Sequence, residues 1–291
     1  MRAAQVRHAD GVRGAHSWLC FLLAPDSSTV DRTPEDVIAA AEAEAAAAPE
    51  LVDDLLDLPG DAPVDVQHRP ENVAKLARRV AAQPLKLLHP PRPGKKLLVL
   101  DIDYTLFDHR STAEVPHELA RPYLHEFLAS AYEHYDIVIW SATSMKWIEV
   151  KMRELGVLGH EHYRIAALVD HGAMITVGPL PDYGVFDCKP LGYLWAQHDG
   201  WHERNTIMFD DLRRNFVMNP QQGLRIRPFR NAHSARATDD ELLRLSVYLL
   251  AIAALEDFSG LDHRRWESYR PPRAPRAPPP EAAAGEDEDA P

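Results

Sequence analysis

Two acidic residues, separated by one position, directly follow an apolar run in the first half of the chain. Asp101 and Asp103 come after the run at 97–100, and Thr105 closes the short motif Asp-Ile-Asp-Tyr-Thr. Open α/β folds bind their ligands at the carboxyl ends of parallel strands. A carboxylate there can attack phosphorus while its neighbour transfers the proton. The alternative is a strand that ends in a polar turn, since acids are common at strand ends.

Polar residues also end two further apolar runs. Ser141 follows the run at 136–140, and Asp210 with Asp211 ends the run at 206–209. If these strands are parallel neighbours of the first, their polar ends meet in one crevice. Carboxylates gathered there repel one another unless a cation lies among them.

The residue types in this crevice indicate which cation and which substrate group would fit. Oxygen ligands with little sulfur or imidazole favour Mg²⁺, which takes one or two carboxylates together with water and a phosphate. Ser141 could offer its hydroxyl to a phosphate oxygen, and Lys189 could bring a positive charge to the same group. The alternatives are an ordinary hydroxyl at a strand end, a solvated surface lysine and, for Asp210 and Asp211, a helix N-cap pair.

The apolar pattern predicts strands and helices that alternate along the chain. Such alternation is typical of an α/β fold, a doubly wound and mostly parallel sheet with helices on both faces. A small β-rich insertion is expected before Lys189. In the longest helix we expect Val247 to be buried. The predicted strands cover 97–100, 136–140, 165–169, 174–177, 206–209 and 224–226; the predicted helices cover 71–82, 121–131, 145–155, 190–196 and 239–255.

The composition divides the chain into three parts. Residues 1–93 are predicted to form an N-terminal extension, partly helical and partly disordered, and 94–270 are predicted to form the domain that carries the motifs. Residues 271–291, rich in proline, alanine and acids, are predicted to be a disordered tail. Basic residues before the apolar stretch at 18–24 give a faint signal-peptide shape, but that stretch is short. A buried strand or a loosely packed terminal segment is expected there instead.

Charge and composition exclude several classes of function. The 291 residues are 45% hydrophobic and 26% charged, with a net charge of −12, so no chain-wide basic field attracts nucleic acid. No apolar run approaches the roughly 20 residues of a membrane span, and we expect no membrane partner. Cys20 and Cys188 are too few for a disulfide framework, so a reducing compartment is expected.

The motifs in this order resemble those of the haloacid dehalogenase (HAD) phosphatase superfamily. The flanking sequences Asp-Tyr-Thr-Leu-Phe-Asp-His-Arg and Ile-Val-Ile-Trp-Ser-Ala-Thr are similar to the branch that dephosphorylates the RNA polymerase II C-terminal domain. Lys-Pro-Leu-Gly and the stretch at 207–216 look like the members with a ubiquitin-like domain that act on the nuclear proteasome. The resemblance implies a HAD-like Rossmannoid fold. The matching motif residues are Asp101, Asp103 and Thr105, then Ser141, then Lys189, then Asp210 and Asp211.

The resemblance also implies a role for each of these residues. Asp101 would attack phosphorus and form an aspartyl phosphate, while Asp103 would be the general acid and base. Ser141 and Lys189 would stabilise the phosphate oxygens, and Thr105 would orient the loop. The Asp101 side chain, the Asp103 carbonyl and Asp211 would hold Mg²⁺, with Asp210 supporting Lys189 or a metal-bound water.

The expected substrate is a phosphoprotein, either the polymerase tail or subunits of the proteasome regulatory particle, in the nucleus or alternatively the cytoplasm. The residues before the acidic stretch at 35–61 are too few for a ubiquitin-like fold. No ubiquitin-like domain is therefore recognisable in this sequence, whether the chain is a truncated gene model, a fragment or a true loss, and docking on the proteasome is not carried over. A small-molecule phosphatase is disfavoured because no large cap domain fits between the motifs, and a non-catalytic scaffold because both acids are present.

A few side chains outside the motifs have structural explanations. Arg121 could face the substrate, but a salt bridge near a helix start is the expected role. Trp140 and Trp147 are predicted to pack in the core. Four histidines do not have the spacing of a metal cluster and are expected at the surface or satisfied in the core: His109, His117, His125 and His134.

Overall fold

The computed structural model describes residues 66–180 and 184–271. The apolar segment at 18–24, most of the extension that was expected to be partly helical, and nearly all of the predicted tail lie outside these residues. None of the described helices is long and apolar enough to cross a bilayer.

A parallel sheet with the strand order β3-β2-β1-β6-β7 forms the centre of the described part of the chain. This order places β1 between β2 and β6, so the strand that carries Asp101 lies in the middle. The predicted α/β fold with a mostly parallel sheet is confirmed. The strands are β1 Lys96–Leu100, β2 Tyr135–Trp140, β3 Ile165–Val169, β4 Ile175–Leu180, β5 Gly184–Cys188, β6 Thr206–Asp210 and β7 Gly223–Arg225.

Helices cover both faces of the sheet because successive residues of a buried strand point to opposite sides. Leu98 and Leu100 pack into one apolar cluster with the second and last helices, whereas Leu97 and Val99 pack into another with the fourth. The helices are α1 Pro70–Ala82, α2 Leu124–Tyr132, α3 Met145–Glu154, α4 Gly192–Trp195, α5 Ala232–Ala235 and α6 Glu241–Ile252.

An antiparallel hairpin, made of β4 and β5, forms the predicted β-rich insertion. It leaves the sheet after β3 and returns the chain to Lys189, directly after the end of β5. The hairpin packs on α1, on Val66 and on the turn at Arg213–Phe216 that follows β6.

Residues 66–93 pack against the sheet and the hairpin, although they were predicted as part of the extension. Leu88 donates its amide to the carbonyl of Ala166, and Arg92 forms an ion pair of 2.9 Å with Asp136. The helix predicted at 71–82 is present as α1. The boundaries of the three parts stay a prediction.

Two local predictions were wrong in detail. Val247 was expected in the core, but 65% of it is exposed, because it lies on the side of α6 opposite the buried Leu245 and Leu249. The helix predicted from 121 begins only at Leu124, since Tyr123 adopts a left-handed backbone with φ of 64°. Trp140 is fully buried as predicted, whereas Trp147 is only partly buried.

The buried Arg121 joins the loop after β1 to the start of α6. Its guanidinium donates to both carboxylate oxygens of Asp239, at 2.9 and 2.8 Å, and to the carbonyl of Thr105 at 3.1 Å. Only 1% of the Arg121 side chain and 16% of the Asp239 side chain are exposed. The predicted salt bridge is therefore present, and it fixes the loop that carries the acidic motif.

We expect Arg121→Met to lower the free energy of unfolding by about 3 kcal/mol, because it leaves a mostly buried carboxylate without its partner. Denaturant unfolding monitored by circular dichroism measures this change. The control is Arg265→Met, which removes an ion pair whose arginine is 80% exposed and should cost less than about 1 kcal/mol. Equal losses in the two variants would contradict a structural role for the buried pair.

Candidate active site

The carboxyl ends of β2, β1 and β6 bring the predicted polar residues into one crevice. The amide of Asp101 extends the ladder by donating to the carbonyl of Phe209, and that of Ser141 donates to Val169. Asp101 and Ser141 are buried, and so are Asp210 and Lys189. The sequence motifs therefore meet in space, as their positions at strand ends predicted.

Lys189 is the cation at the centre of this crevice. Its ammonium lies 2.5 Å from Asp101 Oδ1 and 2.6 Å from Asp210 Oδ2, and its side chain is fully buried. Burial alone would lower the pKa of Lys189, but the two carboxylates outweigh burial and raise that pKa above its ordinary value. Lys189 therefore stays charged and bridges β1 and β6.

Asp210 is held by neighbours on both of its oxygens. Besides Lys189, Oδ2 accepts from the side-chain amide of Asn215 at 2.8 Å, and Oδ1 accepts from the backbone amide of Leu212 at 2.9 Å. Such complete pairing suits a carboxylate that supports Lys189, one of the two roles that the resemblance implied for Asp210; the other was to hold a metal-bound water. Sequence reasoning did not single out Asn215.

Three carboxylates in the crevice are close enough to share one cation. Oxygen atoms of Asp101, Asp210 and Asp211 all lie within 4.8 Å of one another. Burial first and then Asp210 raise the pKa of Asp211 to about 7. Burial also raises the pKa of Asp101 well above its usual range, against the opposing effect of Lys189. A buried, all-oxygen site with excess negative charge fits a divalent metal.

Asp103 has a different set of neighbours. Lys151 Nζ lies 2.7 Å and His109 Nδ1 3.5 Å from its Oδ1, while the Ser141 hydroxyl lies 3.5 Å from its Oδ2. Burial would raise the pKa of Asp103, but Lys151 and His109 outweigh burial and lower it. The carboxylate is thus held from one side with its second oxygen facing Ser141.

Sequence reasoning missed both Lys151 and His109 as site residues. Lys151 lies on α3 between Ile148 and Met152, which are buried, so it stands at the border of the core-facing side. A lysine beside the buried face of the helix that follows Ser141 could have been predicted from the sequence to lie near the crevice. His109 lies on the loop that follows the acidic motif, and no spacing distinguished it from the other histidines.

Thr105 is buried in the loop but does not contact the other site residues with its hydroxyl. Within the described residues, that hydroxyl has no hydrogen-bond partner. Its amide donates to the carbonyl of Ile102 at 3.2 Å, and its carbonyl accepts from Arg121. The loop is therefore held through its backbone, and the predicted orienting role of Thr105 stays a prediction.

A parallel α/β sheet that gathers acids, a buried lysine and a hydroxyl at its carboxyl edge has the features of a phosphoryl-transfer site. The family described as NLI interacting factor-like phosphatase matches residues 96–259. The chain belongs to this family, which places it among phosphatases and covers every motif discussed above.

The chain is similar to three proteins of known family over most of its length. It is 59% identical over 242 residues to the "Ubiquitin-like domain-containing CTD phosphatase" of Arabidopsis thaliana, covering 83% of this chain and 70% of the relative. Two further relatives are named "Ubiquitin-like domain-containing CTD phosphatase 1". The protein of Danio rerio is 61% identical over 206 residues, which cover 70% of this chain and 64% of the relative. The protein of Drosophila melanogaster is 59% identical over 223 residues, which cover 76% of this chain and 69% of the relative. The chain thus spans about two thirds of these relatives.

A solved structure, "The Structure of Fcp1, an essential RNA polymerase II CTD phosphatase", overlaps 64% of this chain and 65% of that chain. The sequence identity is 14% and the TM-score 0.39, so this likeness adds nothing to the family assignment.

We expect Asp211→Asn to stabilise the metal-free protein at pH 8 but not at pH 4. A carboxyl with a raised pKa binds its proton more tightly in the folded state, so stability is lost as pH rises from about 4 to about 7. The substitution removes that loss, roughly 1 to 3 kcal/mol. Denaturant unfolding of both proteins in a chelator, at the two pH values, gives the difference.

The control for this measurement is Asp199→Asn, which changes an exposed acid outside the crevice. Taking the difference between each variant and the parent protein cancels the other titrating groups. A stability difference for Asp211→Asn that is the same at both pH values would contradict the raised pKa.

Proposed function

We propose that this chain is a Mg²⁺-dependent phosphoserine and phosphothreonine phosphatase that acts through an aspartyl phosphate on Asp101. The observation that carries the proposal is the meeting of Asp101 with Lys189 and two further carboxylates at the end of the central strands. Such a site holds one reactive carboxylate among groups that can compensate the charge of a phosphate.

In the first step the Asp101 carboxylate attacks phosphorus, and the bond between phosphorus and the serine oxygen breaks. Asp103 gives its proton to the departing oxygen. In the second step water attacks the aspartyl phosphate, Asp103 takes the proton of the water, and Asp101 is released as a carboxylate. Acid–base assistance of this kind contributes about 10²–10⁴-fold in rate.

Asp103 must carry a proton before it can act as an acid. In the described residues Lys151 and His109 favour its ionised form. A phosphate dianion bound beside Asp103 opposes that effect, because a nearby negative charge raises a carboxyl pKa. Asp103 thus acts as acid while the phosphate ester is bound, and as base once the leaving group has gone.

Lys189 and Ser141 stabilise the phosphate oxygens. The Lys189 ammonium is already placed against the nucleophile, so it costs little reorganisation when charge develops on phosphorus. The Asp101 and Asp211 side chains, with the backbone carbonyl of Asp103, would hold the metal. When bound, Mg²⁺ would reduce the repulsion between the nucleophile and the phosphate.

The small insertion supports a protein substrate. In the described residues between β3 and Lys189 the chain forms a short 3₁₀ turn and the β4–β5 hairpin, an insertion much smaller than a cap domain. The relatives are named CTD phosphatases. We infer that the substrate is a phosphoprotein, the polymerase tail or a subunit of the proteasome regulatory particle, and that the enzyme acts in the nucleus or alternatively the cytoplasm.

The test is hydrolysis of p-nitrophenyl phosphate and of a phosphoserine peptide with Mg²⁺. We expect turnover of both, loss of both in Asp101→Asn, and a dependence on Mg²⁺ that weakens in Asp211→Asn. Asp199→Asn, an exposed substitution, is the control. Absence of turnover, or turnover that survives Asp101→Asn, would overturn the proposal.

The role of Asp103 is tested by the leaving group. We expect Asp103→Asn to lower kcat/KM for the phosphoserine peptide by about 10²–10⁴-fold. The loss with p-nitrophenyl phosphate should be much smaller, because nitrophenolate departs without a proton. Because kcat/KM covers the steps up to phosphoenzyme formation, hydrolysis of the intermediate does not obscure the comparison. Equal losses would exclude Asp103 as the acid.

A further inference from the structure

Arg230 is a cation at the edge of the crevice that neither the sequence motifs nor the proposed reaction uses. Its guanidinium carbon lies 4.7 Å from the centre of the Tyr104 ring, and Tyr104 is the residue between Asp103 and Thr105. The amide of the preceding Phe229 donates to the carbonyl of Tyr104 at 2.7 Å. Arg230 is therefore attached to the acidic loop by both its side chain and its neighbour's backbone.

The Tyr104 ring is also in contact with the loop residue that faces the acid. The ring centres of Tyr104 and His109 lie 4.4 Å apart, and His109 is itself 3.5 Å from Asp103. Tyr104 is 3% exposed and adopts a left-handed backbone with φ of 60°. The Tyr104 ring thus contacts both the Arg230 guanidinium and the histidine that lies near Asp103.

In residues 66–180 and 184–271 no carboxylate forms an ion pair with Arg230, although its charge does act on Asp211 and opposes the rise of the Asp211 pKa. Other arginines in this part of the chain do have acidic partners: Arg92, Arg121, Arg227, Arg244 and Arg265. In addition, Arg230 Nε is buried and has no hydrogen-bond partner among the described residues. A buried donor without a partner is costly, and at a functional site it indicates an acceptor supplied by a ligand.

The acceptor is better explained by a second anion than by the phosphate that is cleaved. Lys189 and Ser141 already face Asp101 and Asp103, whereas the contact of the Arg230 guanidinium is with the Tyr104 ring. A guanidinium binds carboxylates and phosphates through paired N–H groups.

We propose that Arg230 forms an anion subsite that binds a second negatively charged group, a carboxylate or a phosphate, next to the phosphoserine on the same substrate chain. This inference rests on the proposed phosphatase function and adds a substrate class to it: acidic or multiply phosphorylated segments. The subsite selects substrates by charge close to the cleaved bond, while the overall net charge of −12 repels them at long range.

The test compares kcat/KM for three phosphoserine peptides of one sequence, with a neutral residue, an aspartate or a second phosphoserine beside the target. In the parent enzyme we expect both anionic peptides to be preferred over the neutral one. Arg230→Gln should reduce that preference about ten- to hundredfold, mainly through KM, and Arg230→Lys should restore part of it. The aspartate and phosphoserine peptides distinguish the two kinds of anion.

Arg264→Gln, which removes an exposed arginine on the last 3₁₀ turn, is the matched control and should keep the parent preference. An unchanged preference in Arg230→Gln would overturn the subsite. An equal loss of kcat/KM for all three peptides and for p-nitrophenyl phosphate would also overturn the subsite, because it would place Arg230 at the cleaved phosphate.

Failure of the subsite and failure of the phosphatase proposal give different results. If the parent protein hydrolyses none of these compounds, the proposed function is wrong. Calorimetric binding of the same peptides to the parent protein and Arg230→Gln then decides the subsite by itself. Equal affinities for the anionic and neutral peptides would exclude it, whereas a preference lost in the variant would support it.

Discussion

The ammonium of Lys189 is the contact on which the crevice depends. It joins Asp101 at the end of β1 to Asp210 at the end of β6, and it stands at the point where the β4–β5 hairpin returns to the sheet. Without a cation between them, two buried carboxylates this close could not both be ionised. The charge that the proposed chemistry needs therefore also joins the ends of two neighbouring strands to the point where the insertion returns.

The other cations divide the crevice into regions with different properties. Lys151 and His109 lower the pKa of Asp103, whereas burial and Asp210 raise that of Asp211. Acids of one residue type thus differ in pKa because their neighbours differ. This difference matches the separate tasks of nucleophile, proton carrier and metal ligand that we propose for them.

The apolar runs and the polar residues that end them predicted the parallel sheet and the meeting of Asp101, Ser141 and Asp210, because a strand end is a local feature. Lys151 and Arg230 were not found in this way. Lys151 lies 48 residues from Asp103, and Arg230 reaches Tyr104 from beyond the last strand, so only the packing of distant elements brings them close. Val247 was misplaced because an apolar residue alone does not define the buried face of a helix.

The pair of Arg121 and Asp239 has a consequence for the order of events during synthesis. The two residues are 118 positions apart, and through the Thr105 carbonyl they hold the loop that carries the acidic motif. A nascent chain emerges from the ribosome from its N-terminus, so all five strands of the central sheet are made before Asp239 exists. The loop can therefore be held in its final shape only after the segment leading into α6 has emerged. Until then the nascent chain lacks the ion pair that fixes the acidic motif.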